Sequence, residues 1–457
     1  MKILAKKSSL SGEICVPGSK SHTIRALLLA CLANGTSHIT NPLESADCIS
    51  AGNAIPLLGA KISFGKEWEV LGAGENIHLP NDVVNVGNSG SLLYFLSAIA
   101  ATFDGYSVFT GDASIRKRPV LHVVDALNQL GAEAFVSQPG YNGCPLIVKG
   151  PVKNPQKIVT EGSVSSQYIT GLMMSACRLN GVLEIELTNP KETPYLTMTK
   201  VWLEKVGIKC EISSDFHHIK VWGPAKIKAF NTAIPSDWEG VAFPLIAALV
   251  SNSEITINNV DSSGTQGDDA IVEILKSIGA DIEWDKTQAK ILVRGGKKAR
   301  NGNGRLSTQN LKNGELHINI SEFPDAVCAL ACIACFTEGT TFIEDADVCR
   351  KKETDRLKVM TSELKKIGAD IEEKENSLVI KGHSPVKEDG SQNPQFTLHG
   401  AQVESYDDHR VAMSLASIAL GLPDGEKLII NDAECCSVSF PNFFDKMNAL
   451  NAEFEEV

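Results

Sequence analysis

Long apolar runs are missing from this 457-residue sequence, since no segment reaches the roughly 18 uninterrupted apolar residues that a membrane-spanning helix needs. The first 21 residues carry early lysines but no apolar stretch of the length found in a signal peptide. Net positive charge is missing too: the formal charge is -12, and an acidic surface disfavours nucleic acid and anionic membranes as partners. We therefore expect a cytoplasmic protein that binds neither.

The twelve cysteines do not indicate a disulfide framework, because such frameworks belong to small secreted domains rather than to long cytoplasmic chains. Cys328, Cys332 and Cys335 of DAVCALACIACF share one face of a predicted helix. They could hold a metal ion, but no fourth ligand is evident nearby, so we interpret them as core residues. With 43% hydrophobic and 21% charged residues, the chain is an ordinary globular protein with room for two domains.

A sixfold internal repeat organises the sequence. Six apolar-periodic segments end in a turn residue and continue into a short strand; the turn residues are Gly59, Gly131, Gly207, Gly279, Gly368 and Asn451. Gly or Asn at this place is the left-handed residue that ends a helix. Six further helices are apolar nearly all round, which predicts that they are buried. We predict an α/β fold of two domains with three repeats each, helices inside and sheets outside, the third repeat ending near residue 232.

Polar and charged residues stand where the six apolar helices should begin. They are Lys20-Ser21, Asn88-Ser89-Gly90-Ser91, Ser165-Ser166-Gln167, Asp237, Asp325 and Asp408-His409-Arg410. Ser, Asn and Asp are ordinary N-caps, but Lys and Arg oppose the helix dipole. Cations recur before Pro119, a favoured first helical residue, as Arg116, Lys117 and Arg118, and before a helix predicted from Glu353, as Arg350, Lys351 and Lys352. A bound phosphate or carboxylate would remove the conflict; solvated surface cations are the alternative for any one cluster.

Spacing pairs some of these cations. Ser21 and Arg25 are four residues apart, as are Lys352 and Arg356, and each pair is predicted to share a helix face. Each pair could grip one anion. Asp325 and Glu353 are the nearby candidate carboxylates, so the constellation predicts both anion binding and proton transfer.

Eight motifs in one order carry a resemblance to a known family. They are PGSKSHTIRALLLA (17–30), GNSGS (87–91), RKRP (116–119), GSVSSQYITGLMMSA (162–176), FPDA (323–326), RKKETDR (350–356), DDHR (407–410) and SFPNFF (439–444). With them the chain resembles, end to end, the 5-enolpyruvylshikimate-3-phosphate synthases. The resemblance implies a two-domain inside-out α/β barrel with three βαβαββ-type repeats in each domain. It places phosphoenolpyruvate-side carboxylates and cations in a discontinuous domain, 1–19 and 233–457, and the shikimate-3-phosphate side in an inserted domain, 20–232, with a cleft between them.

The resemblance also implies site residues. The shikimate-3-phosphate contacts would be Ser21, Arg25, Ser165, Ser166, Gln167, Tyr195 and Asp325; the phosphoenolpyruvate contacts would be Lys20, Gly90, Arg118, Gln167, Arg356 and Arg410; Asn88, Arg350, Lys352, Glu353 and His409 would complete the set. Glu353 is the candidate for proton exchange at C3 of phosphoenolpyruvate, and Asp325 with Lys20 is the candidate for proton transfer at the acceptor hydroxyl.

The implied reaction moves the enolpyruvyl group of phosphoenolpyruvate to the 5-hydroxyl of shikimate-3-phosphate and releases phosphate. This is a step of the shikimate pathway to chorismate and the aromatic amino acids, catalysed by a monomer without metal or cofactor.

Three residues depart from the family pattern. Tyr94 and Phe95 stand where many relatives have Arg followed by Pro or an aliphatic residue, and Val438 stands where many carry Lys. Gly90 occupies the position at which relatives bearing Ala tolerate glyphosate, so we predict that glyphosate inhibits this protein.

Three other functions stay open. A UDP-N-acetylglucosamine enolpyruvyl transferase is similar in fold but usually presents a cysteine in the region of GDASIRKRP, and here no cysteine lies between Cys48 and Cys144. Transfer to a modified shikimate-like acceptor would fit the altered segment 92–95. A non-catalytic binder of phosphate ligands would keep the cations without needing Asp325 and Glu353.

Overall fold

The computed structural model describes residues 1–153 and 157–457. Within them the α-helices are α1 (Lys20–Leu32), α2 (Ala46–Ala54), α3 (Gly90–Ala100), α4 (Leu121–Gln129), α5 (Ser166–Ser175), α6 (Thr193–Lys205), α7 (Trp238–Val250), α8 (Ile271–Ser277), α9 (Val327–Ala334), α10 (Arg356–Lys366), α11 (His409–Ala419) and α12 (Phe443–Asn448). In these described residues no helix combines the length and apolarity that crossing a bilayer requires.

The β-strands lie before, between and after these helices along the chain. They are β1 (Ile3–Lys6), β2 (Ser11–Cys15), β3 (Asn34–Thr40), β4 (Lys61–Ser63), β5 (Glu67–Ala73), β6 (Val84–Asn85), β7 (Gly105–Thr110), β8 (Glu133–Val136), β9 (Leu146–Gly150), β10 (Lys157–Glu161), β11 (Gly181–Thr188), β12 (Cys210–Ile212), β13 (His218–Gly223), β14 (Asn231–Ala233), β15 (Glu254–Asn258), β16 (Asp281–Asp285), β17 (Lys290–Arg294), β18 (Leu306–Ser307), β19 (Glu315–Asn319), β20 (Thr337–Glu344), β21 (Asp370–Glu373), β22 (Leu378–Gly382), β23 (Ala401–Glu404), β24 (Lys427–Asn431) and β25 (Glu455–Glu456).

The chain divides into two units. Gly18–Pro235 forms the inserted unit, and Met1–Pro17 with Ser236–Val457 forms the discontinuous unit. The predicted boundaries, 20 and 232, lie slightly inside these limits. The N-terminal strands belong to the discontinuous unit, because β1 pairs with β24 and β2 pairs with β15.

Each unit contains three sheets of similar construction. In the inserted unit their orders are β14-β3-β5-β4, β6-β7-β9-β8 and β10-β11-β13-β12; in the discontinuous unit they are β16-β17-β15-β2, β18-β20-β22-β21 with β19 also on β20, and β23-β24-β1-β25. In each sheet a long strand pairs parallel with one neighbour and antiparallel with the other, as β11 does with β10 and β13. Strands such as β5 and β11 alternate buried and more exposed residues, as expected of sheets covering a core on one face.

The apolar helices lie inside these sheets. In the inserted unit they are α1, α3 and α5, and in the discontinuous unit α7, α9 and α11, with nearly every residue buried. The prediction of buried helices and outer sheets is therefore confirmed. All six predicted turn residues have positive φ, from 73° at Asn451 to 99° at Gly59. Local sequence alone selects Gly or Asn there, because other side chains clash with the backbone in this conformation.

The cysteines are mostly core residues, as the sequence predicts. Cys328, Cys332 and Cys335 are all buried on or just after α9, in the apolar core of the discontinuous unit. Burial raises the pKa of the Cys335 thiol to about 12. Such a thiol stays protonated at neutral pH and is a weak metal ligand.

Candidate functional site

Arg25 of the inserted unit is buried on α1, and none of its contacts in the described residues is with a carboxylate. Its nitrogens donate to the Ser21 carbonyl at 2.9 Å and to the Thr199 hydroxyl at 3.0 Å. Further contacts reach the Thr170 hydroxyl at 3.2 Å and the Tyr195 carbonyl at 3.3 Å. Burial lowers the pKa of Arg25 to about 9. A buried cation held only by neutral oxygens is incompletely compensated, so an anion beside Ser21 and Arg25 would stabilise it.

Lys20 is the first residue of α1 and forms an ion pair with Asp47, in the first turn of α2. Lys20 Nζ lies 3.5 Å from Asp47 Oδ2. The other oxygen, Asp47 Oδ1, is buried and has no hydrogen-bond partner within the described residues. Asp47 thus orients the ammonium group that the sequence predicts as catalytic. Sequence analysis missed Asp47 because an Asp in the first turn of a helix is also the ordinary response to the helix dipole.

Gly90, Arg118 and Gln167, three of the predicted phosphoenolpyruvate contacts, lie together at the start of α3. A β-carbon built on Gly90 would be 2.7 Å from Arg118 Nη1 and 3.3 Å from Gln167 Oε1. Glycine is therefore the residue that lets the guanidinium approach the helix N-terminus. Asn88, two residues before Gly90, has a buried Oδ1 without a hydrogen-bond partner in the described residues, so a ligand donor or water would satisfy it.

The basic cluster before Pro119 does not act as one group. Arg116 Nη1 donates to the Gly111 carbonyl at 2.7 Å, and Lys117 is exposed. The prediction that Pro119 begins a helix is wrong, since α4 begins at Leu121. The amides of Val120 and Leu121 instead donate to Asn142 Oδ1, at 2.8 and 3.1 Å, which delays the helix by two residues.

The start of α5 is held by a carboxylate that sequence analysis missed. Ser165 caps the helix by accepting a hydrogen bond from the Gln167 amide. Ser166 donates from both its amide and its hydroxyl to Glu192 Oε2, each at 3.0 Å. Glu192 is buried, has a positive φ of 53° and directly precedes α6, which carries Tyr195 in its first turn. Among the predicted contacts Ser166 is thus already bonded to protein, and Glu192 connects α5 with α6.

Asp325 is the centre of the corresponding cluster in the discontinuous unit. It lies in the 3-10 turn Pro324–Ala326, directly before α9. Its Oδ2 is 3.3 Å from Lys352 Nζ, and its Oδ1 accepts a hydrogen bond from Arg356 Nη1. The same Oδ1 is 3.3 Å from Arg410 Nε. One carboxylate therefore meets three cations that the sequence places 27 to 85 residues away.

Arg356 is fully buried at the start of α10 and is compensated by carboxylates. Besides Asp325, it donates to Glu353 Oε2 at 2.7 Å and to the two oxygens of Asp408 at 2.8 and 3.2 Å. Burial opposes its charge, but Asp408, Glu353 and Asp325 outweigh that effect and hold the pKa of Arg356 well above its usual value. Asp408 also caps α11 by accepting from the Arg410 amide at 3.0 Å. Arg356 thus fixes the orientation of both candidate proton-transfer groups, Asp325 and Glu353.

Two residues of the RKKETDR motif lie differently from the prediction. Lys352 does not share a helix face with Arg356, because α10 begins at Arg356 rather than at Glu353. Asp355 is the N-cap and accepts from the Lys358 amide. Lys352 and Arg356 nevertheless converge, through their common contact with Asp325. The guanidinium of Arg350 contacts Asp355 at 2.8 Å and Glu373 at 2.7 Å.

Arg350 also donates to the carbonyls of Lys374 and Glu375. Its contacts therefore connect the start of α10 with β21 and the turn that follows. The geometry favours a structural role over the predicted substrate contact.

His409 and Arg410 open α11 and are almost completely buried. Arg410 also forms an ion pair with Glu239, in the first turn of α7. Asp268, in the 3-10 turn Gly267–Ala270, is a further buried carboxyl that sequence analysis missed. Burial, and then the charges of Asp325 and Asp237, raise the pKa of Asp268 well above its usual value.

Comparisons with known proteins show the family of the chain. The EPSP synthase (3-phosphoshikimate 1-carboxyvinyltransferase) family model matches residues 4–447. The chain is 37% identical over 456 residues to the 3-phosphoshikimate 1-carboxyvinyltransferase of Ruminiclostridium cellulolyticum, covering 100% of both chains, and 38% identical over 458 residues to that of Acetivibrio thermocellus, covering 99% of both. The solved EPSP synthase of Acinetobacter baumannii has the same fold, with a TM-score of 0.82 at 24% identity and 99% coverage of both chains. Because both the family model and the curated relatives extend over nearly the whole sequence, the chain belongs to the EPSP synthase family.

Proposed function

We propose that this protein transfers the enolpyruvyl group of phosphoenolpyruvate to the 5-hydroxyl of shikimate-3-phosphate and releases inorganic phosphate. The observation that carries the proposal is a chain that matches relatives of that name from end to end and brings Asp325 to within 3.3 Å of Lys352 and Arg410 and into hydrogen-bond contact with Arg356. A carboxylate set among cations combines proton transfer with attraction for anionic substrates.

In the first step the 5-hydroxyl oxygen attacks C2 of phosphoenolpyruvate while C3 gains a proton. We assign Asp325 and Lys20 to the hydroxyl proton and Glu353 to the proton at C3. The bonds that Arg356 makes to Asp325 and Glu353 fix the directions of their carboxylates before substrate arrives. The product of this step is a tetrahedral ketal phosphate.

In the second step the ketal loses a proton from C3 and its C2–O bond to phosphate breaks, which leaves the enolpyruvyl ether and inorganic phosphate. Negative charge builds up on the departing phosphate. Arg118, beside Gly90, and Lys20 are the cations of the inserted unit that we assign to this charge. Preorganised cations stabilise such charge without having to reorient during the reaction.

Binding of shikimate-3-phosphate is assigned to the inserted unit. Arg25 is a buried guanidinium with neutral partners only, one helical turn from Ser21, and a phosphate there would supply the missing negative charge. Ser165, Gln167 and Tyr195 complete the proposed contacts. Arg356 and Arg410, predicted to contact phosphoenolpyruvate, already have carboxylate partners, so substrate would have to take the place of one of these.

The test is release of phosphate from phosphoenolpyruvate with and without shikimate-3-phosphate. Release only when shikimate-3-phosphate is present, and none with UDP-N-acetylglucosamine, is the expected result. The Glu353→Gln and Asp325→Asn double variant should lose at least about a thousandfold in kcat, since positioned proton transfer contributes factors of this size. Phosphate release that persists in the double variant would contradict the catalytic assignments.

Phosphoenolpyruvate turnover with a modified shikimate but none with shikimate-3-phosphate would favour the alternative acceptor. The proposal includes a monomer in the cytoplasm, which size-exclusion chromatography with light scattering and cell fractionation would test.

A further inference from the structure

Phe95 and Tyr94, two neighbouring residues of α3, lie close to two different arginines that are predicted to bind ligands, Arg25 and Arg118. The ring of Phe95 lies under the guanidinium of Arg25, with 5.1 Å between the ring centroid and Cζ. Tyr94, which is 5% exposed, donates its hydroxyl hydrogen to the carbonyl oxygen of Pro119 at 2.8 Å. Pro119 directly follows Arg118, so this bond is made to the residue adjoining a predicted phosphoenolpyruvate contact.

Arg118 is brought against the start of the same helix that carries Tyr94. Gly90 and Tyr94 are four residues apart on α3 and therefore lie one turn from each other. Gly90 leaves room for Arg118 Nη1, while Tyr94 holds the backbone one residue further on. The charge of Arg118 is also close enough to oppose the rise of the Tyr94 pKa, which burial carries to about 12.

The backbone of segment 118–121 makes further hydrogen bonds besides the one to Tyr94. The backbone amide of Arg118 donates to the Ile115 carbonyl at 3.0 Å, and Asn142 Oδ1 accepts from the next two available amides, those of Val120 and Leu121. The Pro119 carbonyl, in the same segment, accepts the hydrogen bond from the Tyr94 hydroxyl. Loss of the Tyr94 hydroxyl would therefore remove the hydrogen bond to the Pro119 carbonyl and leave the Pro119–Val120 peptide held by Asn142 alone among these side chains.

A row of three aromatic rings, Tyr94, His122 and Tyr168, connects α3 with α5. The rings of Tyr94 and His122 are 5.3 Å apart, and those of His122 and Tyr168 are 4.6 Å apart and nearly perpendicular. Tyr168 directly follows Gln167, which lies beside Gly90 and Arg118. The Tyr168 hydroxyl contacts Thr160 and the Glu161 carbonyl rather than the segment 118–121. Of the two buried tyrosines in this row, Tyr94 is the one bonded to the segment of Arg118.

We propose that Tyr94 is a positioning residue for phosphoenolpyruvate binding, which acts by fixing the Arg118 segment through its bond to Pro119. The inference rests on the proposed function. It adds to that function a specific effect of Tyr94 on one of the two substrates, phosphoenolpyruvate.

The experiment compares Tyr94→Phe with the unchanged protein in steady-state phosphate release, varying each substrate in turn. The KM for phosphoenolpyruvate should rise about fivefold to tenfold, as expected for the loss of one buried hydrogen bond that orients a cation. The kcat and the KM for shikimate-3-phosphate should stay within about twofold. A merely structural role would not separate the two KM values in this way.

Tyr168→Phe is the matched control, because it removes a buried tyrosine hydroxyl from the same aromatic row without touching Pro119. It should leave the KM for phosphoenolpyruvate within about twofold. If Tyr168→Phe raises this KM as much as Tyr94→Phe does, or if Tyr94→Phe raises both KM values equally, the positioning role is wrong.

A double-mutant cycle tests the route through Arg118 even if Tyr94→Phe lowers the melting temperature. In an Arg118→Lys background, Tyr94→Phe should raise the KM for phosphoenolpyruvate less than twofold, because the guanidinium it orients is already absent. Additive effects would overturn the inference. If the unchanged protein releases no phosphate when both substrates are present, the proposed function fails and the inference with it; if it is active and Tyr94→Phe matches it, only the inference fails.

Discussion

Arg25 and Arg356 are both buried near the start of a helix, one in each unit, but their surroundings have opposite character. In the described residues Arg25 donates hydrogen bonds to hydroxyl and carbonyl oxygens and to no carboxylate, and burial lowers its pKa to about 9. Arg356 contacts Asp325, Glu353 and Asp408, which keep its pKa well above the usual value despite burial. Arg25 therefore lacks a negative charge that a ligand can bring, whereas Arg356 already has its own.

The same difference extends to the neighbouring residues. In the inserted unit Arg118 lies beside Gly90, whereas in the discontinuous unit Asp325 contacts the cations Lys352, Arg356 and Arg410. The buried carboxyl of Asp268 lies close enough for the charge of Asp325 to raise its pKa. In the proposed mechanism the inserted unit supplies Arg25 for the anionic acceptor, and the discontinuous unit supplies Asp325 and Glu353 as oriented proton-transfer groups. Five substitutions test this difference between the two units.

The largest effect is expected from Arg356→Met. Removing this guanidinium takes away the cation that contacts the buried carboxylate of Asp408 and the partly buried carboxylates of Asp325 and Glu353. Removal of one partner of a buried ion pair typically costs about 3–5 kcal/mol of unfolding free energy. Urea denaturation should show this loss at pH 7, together with loss of phosphate release. A change in unfolding free energy of less than about 1 kcal/mol would show that the carboxylates do not depend on Arg356.

Arg25→Met should give the opposite pattern. The Thr170 and Thr199 hydroxyls remain bonded to each other and Thr199 to the Tyr195 carbonyl, so unfolding free energy should change by no more than about 1 kcal/mol. Binding of shikimate-3-phosphate, measured by calorimetry, should weaken by about tenfold to a hundredfold, the value of a charge-assisted hydrogen bond. Equal affinity in variant and unchanged protein would remove Arg25 from the proposed site.

Gly90→Ala tests whether Arg118 needs the space beside α3. The added β-carbon would come within 2.7 Å of the flexible end of Arg118, so the guanidinium must move while the helix stays intact. We expect the KM for phosphoenolpyruvate to rise about tenfold with stability unchanged or slightly higher. Gly171→Ala is the contrasting variant, because its β-carbon would meet the Tyr94 carbonyl at 2.4 Å and force α3 and α5 apart.

Gly171→Ala should therefore lower stability and show that the two glycines serve different purposes.

Glyphosate should inhibit the unchanged protein in competition with phosphoenolpyruvate. An absence of competition would reject that prediction.

The smallest effect is expected from Asp268→Asn. The pKa of Asp268 is raised in the folded protein, so above about pH 4 the folded state binds more protons at this site than the unfolded state does. Asp268 therefore contributes fully to the unfolding free energy below about pH 4, and this contribution is lost as the pH rises through the pKa that Asp268 has in the folded protein. The Asn variant should be more stable than the unchanged protein at pH 7, by on the order of 1 kcal/mol, with the difference vanishing toward pH 4. A variant that is less stable at pH 7 would show that the ionised carboxylate is needed.

Some features of the site could be predicted from neighbouring residues and others could not. The cations before the buried helices stand out because Lys20 and Arg410 oppose the helix dipole, a conflict visible in sequence alone. The partners Asp47 and Glu192 gave no such signal, since an acidic residue at a helix start is ordinary. The prediction for Lys352 failed because both Glu353 and Asp355 are acceptable at a helix start, and the fold uses Asp355.

The repeat follows from local sequence, because six turn residues with positive φ and six helices that are apolar nearly all round both depend on side-chain chemistry within a few positions of the chain. Which charges meet depends on the packing of segments that are distant in the sequence. Arg25 lies 174 positions from Thr199, and Arg356 lies 52 from Asp408, and packing alone gave the first a neutral hydroxyl and the second a carboxylate. Contacts between distant residues are fixed by how the buried helices pack, because burial makes each charge depend on the few groups that surround it.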